Sequence, residues 1–309
     1  MGITNRIDGI TGMTPEYTSV KPPAPKSVKI EITGRCNFKC HFCAHFQRLR
    51  EVGEMDQNLF RRLVKEMRDE GVEELGVFYL GESFLCTWLP EAIEYAKKDC
   101  GYPYVFLTTN GSLATPDKVE ACMSAGLDSL KFSLNYADEE QFSDIARVKT
   151  SLFPNIAKNL KAAHKVREEG GYECGIYASF IQYDASQDTK MTEYLDEIRP
   201  YCDELYALPL YNQAALVENE DWEFIQGNRG RLDNMRDPLP CWSIFTEGHI
   251  SSDGRLSACC FDHDNRFNMG DLTKVGFMEA WNSEPFQKLR QAHLNKDVAG
   301  TICEDCVIL

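Results

Sequence analysis

Six strand-like runs alternate with amphipathic helical runs across the first two thirds of this 309-residue chain, and that alternation limits the fold more than any other feature. Runs rich in β-branched and aromatic residues fall at 28–32, 74–80, 104–108, 129–134, 173–181 and 204–210. Between them, apolar residues recur at helical spacing over 57–70, 89–98, 117–125, 153–169 and 189–200. Asp56 and Thr115 stand where helix N-caps are expected, and Pro116 takes the first helical position after Thr115. Strands joined by helical crossovers pair in parallel. Periodicity alone leaves two arrangements open, a doubly wound sheet and a barrel. In both, chemistry gathers at the carboxyl ends of the strands.

The loop after the first strand-like run carries Cys36, Cys40 and Cys43, spaced Cys-x3-Cys-x2-Cys. Three thiolates suit three irons of a cubane [4Fe–4S] cluster and leave the fourth iron open to a ligand that is itself a reagent. A zinc site completed by His41 is the alternative. A second group, Cys241, Cys259, Cys260, Cys303 and Cys306, lies at the other end. Asp253-Gly254 between apolar runs marks a hairpin that returns Cys259 to Cys241. Cys303-x2-Cys306 is a clip. Four thiolates suit zinc and a fully ligated [4Fe–4S] cluster equally. Neighbouring strand residues face opposite ways, so Cys259 and Cys260 do not ligate equally well. Single cysteines at 86, 100, 122, 174 and 202 read as core residues.

A net charge of -15 and a pI near 4.9 exclude a general nucleic-acid binder and a polybasic membrane patch. No apolar run reaches the ~18 residues that span a bilayer. With 13 cysteines and no leader, a reducing, cytoplasmic setting is expected, with the thiols as ligands rather than disulfides.

The cysteine loop, with Phe42 between its last two cysteines, resembles that of the radical S-adenosylmethionine (SAM) enzymes. The resemblance implies a partial (β/α)6 barrel and SAM chelated to the open iron. It further implies a 5′-deoxyadenosyl radical and an electron donor such as flavodoxin or ferredoxin. Phe42 would pack beside cluster and SAM. Leu80-Gly81-Glu82 resembles the family's Gly-Gly-Glu motif, in which Gly81 lets the backbone approach SAM and Glu82 bonds its ammonium group. Thr108-Thr109-Asn110-Gly111 is similar to a tetrapeptide that recurs in the family and puts Asn110 at the site. Ser133 and Asn135 match positions that contact ribose and carboxylate. Gln182, Tyr183 and the Leu208-Pro209-Leu210 segment are further candidates.

At the other end, Cys-x17-Cys, Met269-Gly270-Asp271-Leu272, Trp281 and Cys-x2-Cys resemble the twitch extension, which carries one auxiliary [4Fe–4S] cluster. The larger SPASM extension carries two and needs further cysteines. Family spacing favours Cys259 as the hairpin ligand with Cys241, Cys303 and Cys306. Cys260 is then a spare thiol, either a small buried residue or a hydrogen-atom donor. The implied organisation is an extended lead-in (1–27), a barrel core (28–212), a connector (213–238) and a twitch domain (239–309).

Within the connector, residues 226–234 resemble a segment of the radical SAM 2-deoxy-scyllo-inosamine dehydrogenases that brings an arginine into the active site. Arg229 matches that arginine, and Arg231 replaces a glycine. The expectation is dehydrogenation of a carbinol in an aminocyclitol, sugar or nucleotide sugar. Redox-neutral epimerisation with Cys260 as donor, modification of a precursor peptide, and a non-enzymatic zinc module are the alternatives.

Overall fold

The computed structural model describes residues 2–43, 50–182, 185–214, 216–217, 227–228, 237–263, 266 and 268–307; Arg229 and Tyr183 lie outside the described residues. Six strands, β1 (Ser27–Ile30), β2 (Glu74–Gly76), β3 (Tyr104–Thr109), β4 (Ser129–Ser133), β5 (Gly175–Ile181) and β6 (Glu204–Leu208), form a parallel sheet in chain order. One face buries Val28, Ile30, Leu75, Val105, Leu130, Phe132 and Ile176 completely. Covering it are α2 (Gln57–Asp69), α3 (Leu89–Glu94), α4 (Pro116–Ala125), α6 (Phe153–Gly170) and α7 (Ala185–Ile198). Each such apolar side chain contributes about 1.5–3 kcal/mol. The alternate residues, Lys29, Phe106, Lys131 and Tyr206 among them, face a cavity instead. Helices outside and a lumen inside describe a curled, barrel-like sheet rather than a doubly wound one.

Local chemistry sets the helices. In α2, Phe60, Leu63, Val64 and Met67 form the buried stripe, and Asp56 accepts the Leu59 N–H at 2.9 Å as its cap. Thr115 does precede α4, yet its hydroxyl donates to Asp117 at 2.5 Å rather than capping the helix.

The lead-in expected to be extended forms a helix, α1 (Ile3–Thr11). Ile3, Ile7 and Ile10 lie one turn apart, and Ile3 and Ile7 pack with Tyr177, Tyr206 and Leu208 of β5 and β6. Thr4 bonds Glu204, the first residue of β6, and Arg6 pairs with Glu74, the first residue of β2. The helix therefore covers the amino end of the barrel. Its partners are far away in sequence, so the local pattern does not reveal it.

The carboxyl segment extends the same sheet. After α8 (Ser243–Thr246), β7 (Glu247–Ile250) pairs in parallel with β1, matching Ser27 to Glu247 and Ile30 to Ile250. Strands β8 (Arg255–Ser257) and β9 (Gly270–Asp271) follow antiparallel. The turn between β7 and β8 places Gly254 at φ +80°, and its N–H donates to Ser251 O at 2.8 Å. Arg290 of α9 (Glu284–Leu294) is fully buried, donating to Ile244 O at 2.9 Å and to Trp281 O at 2.7 Å. Among the described residues, no helix is long and apolar enough to cross a membrane.

Candidate active site

The chain leaves β1, pairs Thr33 with Glu54, and encloses the first cysteine loop between them. Gly34 N donates to Gly53 O at 2.8 Å and Met55 N to Ile32 O at 2.9 Å, closing the neck of that loop. Its far side is clamped to the end of α5 (Glu139–Ala146), with Lys39 N on Ala146 O and His41 N on Ile145 O, both 2.9 Å. Phe38 anchors it edge-on to Phe142 at 5.5 Å.

Within the loop, burial pushes the Cys40 thiol well up, and the neighbouring Cys43 and Cys36 sulfurs push it further. The three thiols thus share one locality. Burial and Arg147 lower the pKa of His41, against a raising effect from Asp144. Among the described residues, no three such donors are grouped to hold a single ion. A cubane does not need that convergence, because each thiolate takes a different iron. The donor set therefore fits a cluster with an open iron better than zinc completed by His41.

Gly81 has no room for a side chain. A Cβ there would lie 2.0 Å from Thr33 O and 2.8 Å from Arg35 O. Its close approach is made to the cysteine loop, and the Glu82 N–H donates to Arg35 O at 2.8 Å. Glu82 is 2% exposed and sits among donors. Thr109 Oγ1 donates at 2.9 Å, Asn110 N at 2.8 Å and Phe84 N at 3.2 Å. Burial raises its pKa and these bonds pull it back. A carboxylate accepts about four donors, so one position remains. Asn110 Nδ2 donates to Asn37 Oδ1 at 2.9 Å, Asn37 Nδ2 to Ser112 Oγ at 2.8 Å, and Ser112 Oγ back to Asn110 Oδ1 at 2.7 Å. This ring joins the cysteine loop to the end of β3.

At the ends of β4 and β5, Asn135 Oδ1 accepts the Ile181 N–H at 3.0 Å, while Ser133 is half-buried beside it. Phe42 is buried, and its carbonyl accepts Gln213 Nε2 at 2.7 Å. Gln213, with φ +51°, has no sequence signal that singles it out.

The second cysteine group gathers as well. Burial pushes Cys259 well up, and Cys260, Cys303, Cys306 and Cys241 all act on it. Cys241 is pushed up to about 11 by burial, and Cys306 to about 12 by burial and Cys241. Tyr79 OH donates to Cys259 O at 2.9 Å, and Gly227 N to Cys306 O at 2.7 Å. Cys260 differs. Burial raises it to about 12 with help from Glu247, Cys241 and Cys306, while Lys29 opposes them, and Asn228 Nδ2 donates to its sulfur at 3.4 Å. It lies on the wall of the lumen, not only beside the other thiols.

That lumen has a volume of about 260 Å³. It runs from α1 to Cys260 and Phe261, with Phe78, Phe106 and Tyr206 as its aromatic walls. Four charged side chains among the described residues line it: Arg6, Lys29, Lys131 and Glu247. Sequence reading passed over the lysines, because a polar residue in an alternating strand is equally expected on a solvated face.

Two family models match the chain. The Radical SAM superfamily matches residues 30–175 and an iron-sulfur cluster-binding domain, SPASM, matches residues 241–307. A GTP 3′,8-cyclase of Chlorobaculum tepidum is 32% identical over 133 residues, 43% of this chain and 39% of that protein. The match thus spans about two fifths of that relative's length. A structure of BtrN in complex with AdoMet and 2-DOIA aligns over 87% of this chain and 86% of that one, with TM-score 0.57 and 16% identity. Streptococcus suis SuiB bound to its precursor peptide SuiA aligns over 86% of this chain and 66% of that one, with TM-score 0.65 and 16% identity.

Proposed function

We propose that this chain, which belongs to the radical SAM superfamily and carries a SPASM iron–sulfur region at its carboxyl end, oxidises a carbinol carbon of a small hydroxylated molecule held in the barrel lumen. The observation that carries this reading is the lumen itself, a 260 Å³ space lined at one end by α1 and at the other by Cys260, one of the second group of thiols. It suits a small molecule better than an extended peptide. When bound, SAM and the clusters supply the radical that removes a hydrogen atom and an acceptor for the electron left behind.

The chain's own residues do the rest. Cys36, Cys40 and Cys43 hold the first cluster, and Cys241, Cys259, Cys303 and Cys306 one auxiliary cluster. Glu82 offers its remaining acceptor position to the ammonium of SAM. Asn110 and Asn37 keep the two loops in register, so the ligand meets a preorganised surface. Phe42, Ser133 and Asn135 are the further contacts to SAM that the family resemblance assigns. Arg229, outside the described residues, is assigned to substrate binding on the resemblance of its segment alone.

One observation favours a second outcome. Cys260 neighbours the set around Cys259 and also lies on the lumen wall, which none of the other four sulfurs lines. A thiol there returns a hydrogen atom to the opposite face of the substrate, giving epimerisation.

Anaerobic turnover in deuterated buffer tests the choice. Dehydrogenation leaves no solvent deuterium on the substrate carbon, and Cys260→Ala remains active. Epimerisation puts deuterium there, and Cys260→Ala stalls. A protein that cleaves SAM only in the presence of a precursor peptide contradicts both readings.

A further inference from the structure

Lys131 reaches into the lumen from the middle of β4, between Leu130 and Phe132, which are fully buried against the helices. Part of its surface stays open, and that surface lies on the cavity wall. Every other charge near it is engaged. Arg6 of α1 pairs with Glu74 of β2, Lys29 of β1 pairs with Glu247 of β7 at 2.7 Å, and Glu204 of β6 accepts from Thr4. Tyr104 of β3 and Tyr177 of β5 are held neutral by burial. Among the described residues, Lys131 makes no hydrogen bond or ion pair, and its ammonium lies over the Tyr206 ring at 6.0 Å. Burial, reinforced by Lys29 and Arg6, lowers its pKa to about 7.

An unpaired ammonium in such a place costs stability, and a methionine of similar length would not. The lining charges sum to an excess of positive charge. Arg6 and Lys29 are each matched by a carboxylate, Glu74 and Glu247, which leaves Lys131 as the one unmatched charge of the lining. An anionic group of a ligand removes both the excess and the unmet donor capacity.

We infer that the lumen binds a small molecule bearing a carboxylate or phosphate, and that Lys131 is the residue that holds this anionic group. The aromatic walls take the body of the ligand, and the anion end points down the barrel toward α1. This narrows the substrate of the reading above from hydroxylated molecules in general to sugar acids or sugar phosphates of comparable size. It rests on that reading only in treating the lumen as the substrate site.

The test is a binding experiment on the full iron-loaded chain without SAM turnover. Thermal unfolding is followed with inorganic phosphate, with glycolate, and with ethylene glycol at equal ionic strength. The expected result is a rise of about 2–4 °C with phosphate or glycolate and none with ethylene glycol. The arm that responds distinguishes phosphate from carboxylate. Lys131→Met and Lys131→Gln should both lose the rise, while Lys65→Met on the exposed face of α2 should keep it. The glycolate rise should also fade from about pH 6 to about pH 9, as Lys131 loses its charge.

A rise of equal size in the Lys131 variants overturns the inference. So does an equal response to ethylene glycol, or no response to either anion. Should a variant fold poorly, 15N-lysine spectra of the unsubstituted chain follow Lys131 directly, and a signal that moves with neither glycolate nor phosphate is equally fatal. A chain that makes 5′-deoxyadenosine yet ignores anions loses only the Lys131 assignment. A chain that binds anions through Lys131 yet never cleaves SAM loses only the radical chemistry.

Discussion

Arg50 and Glu31 form an ion pair at 2.8 Å, almost wholly shielded from solvent. Glu31 also accepts the Ser252 N–H at 2.9 Å, and Arg50 Nε donates to His263 O at 2.9 Å. One pair therefore ties the return of the first cysteine loop to both the β7–β8 turn and the segment after Cys259. Breaking a buried pair from one side leaves a charge without a partner, at about 3–5 kcal/mol. Glu31→Gln should lower unfolding free energy by that order and reduce iron at both centres. Denaturant titration and iron analysis read the two effects. A variant with full stability and full iron content would show the pair to be incidental.

Gly81 offers a sharper separation. A methyl group at position 81 collides with Thr33 O, so Gly81→Ala should displace the loop that carries Cys36, Cys40 and Cys43. The auxiliary site lies elsewhere in the sheet and should keep its iron. About four of the roughly eight irons expected for two cubanes should therefore be lost. Unchanged iron would mean that the loop relaxes around the methyl group.

The two adjacent cysteines should part company. Cys259→Ala should release the auxiliary iron, about four atoms per chain, because all four other cysteines of the group, Cys260, Cys303, Cys306 and Cys241, lie around its sulfur. Cys260→Ala should retain it, since Cys260 lines the lumen. Iron and sulfide assays decide, and the reverse pattern would exchange the two roles.

The alternation of strands and helices was legible because the outer face of the sheet repeats one demand, burial against a helix, six times. The cysteine sets were legible because ligand spacing is written into the chain. What the sequence did not reveal depends on distant partners. Helix α1 finds Tyr177 and Tyr206, more than 160 residues away, and only that contact makes its three isoleucines informative. Gly81 suggested a close approach, but not that Thr33 would be what it approaches. Lys131 is a polar residue in a strand, and nothing local says whether its side of the strand meets water or a lumen.

Lys131 also carries a pH signature. In the folded chain its pKa falls to about 7, while an unfolded lysine holds its proton to about 10.4. Between those values the unfolded chain binds more protons, so the penalty is fully present below about pH 7 and fades as pH rises toward 10. Lys131→Met should therefore stabilise the ligand-free protein by about 2–4 kcal/mol near pH 6 and by much less near pH 10. Urea unfolding at the two pH values checks the sign, and a gain independent of pH would contradict it.

The most direct measurement of the whole account is the product of SAM cleavage. Anaerobically reconstituted protein, given SAM and a low-potential reductant, should release 5′-deoxyadenosine, and Cys40→Ala should not. Iron-loaded protein that binds SAM and forms no 5′-deoxyadenosine under these conditions, with or without sugar acids or sugar phosphates, would contradict it.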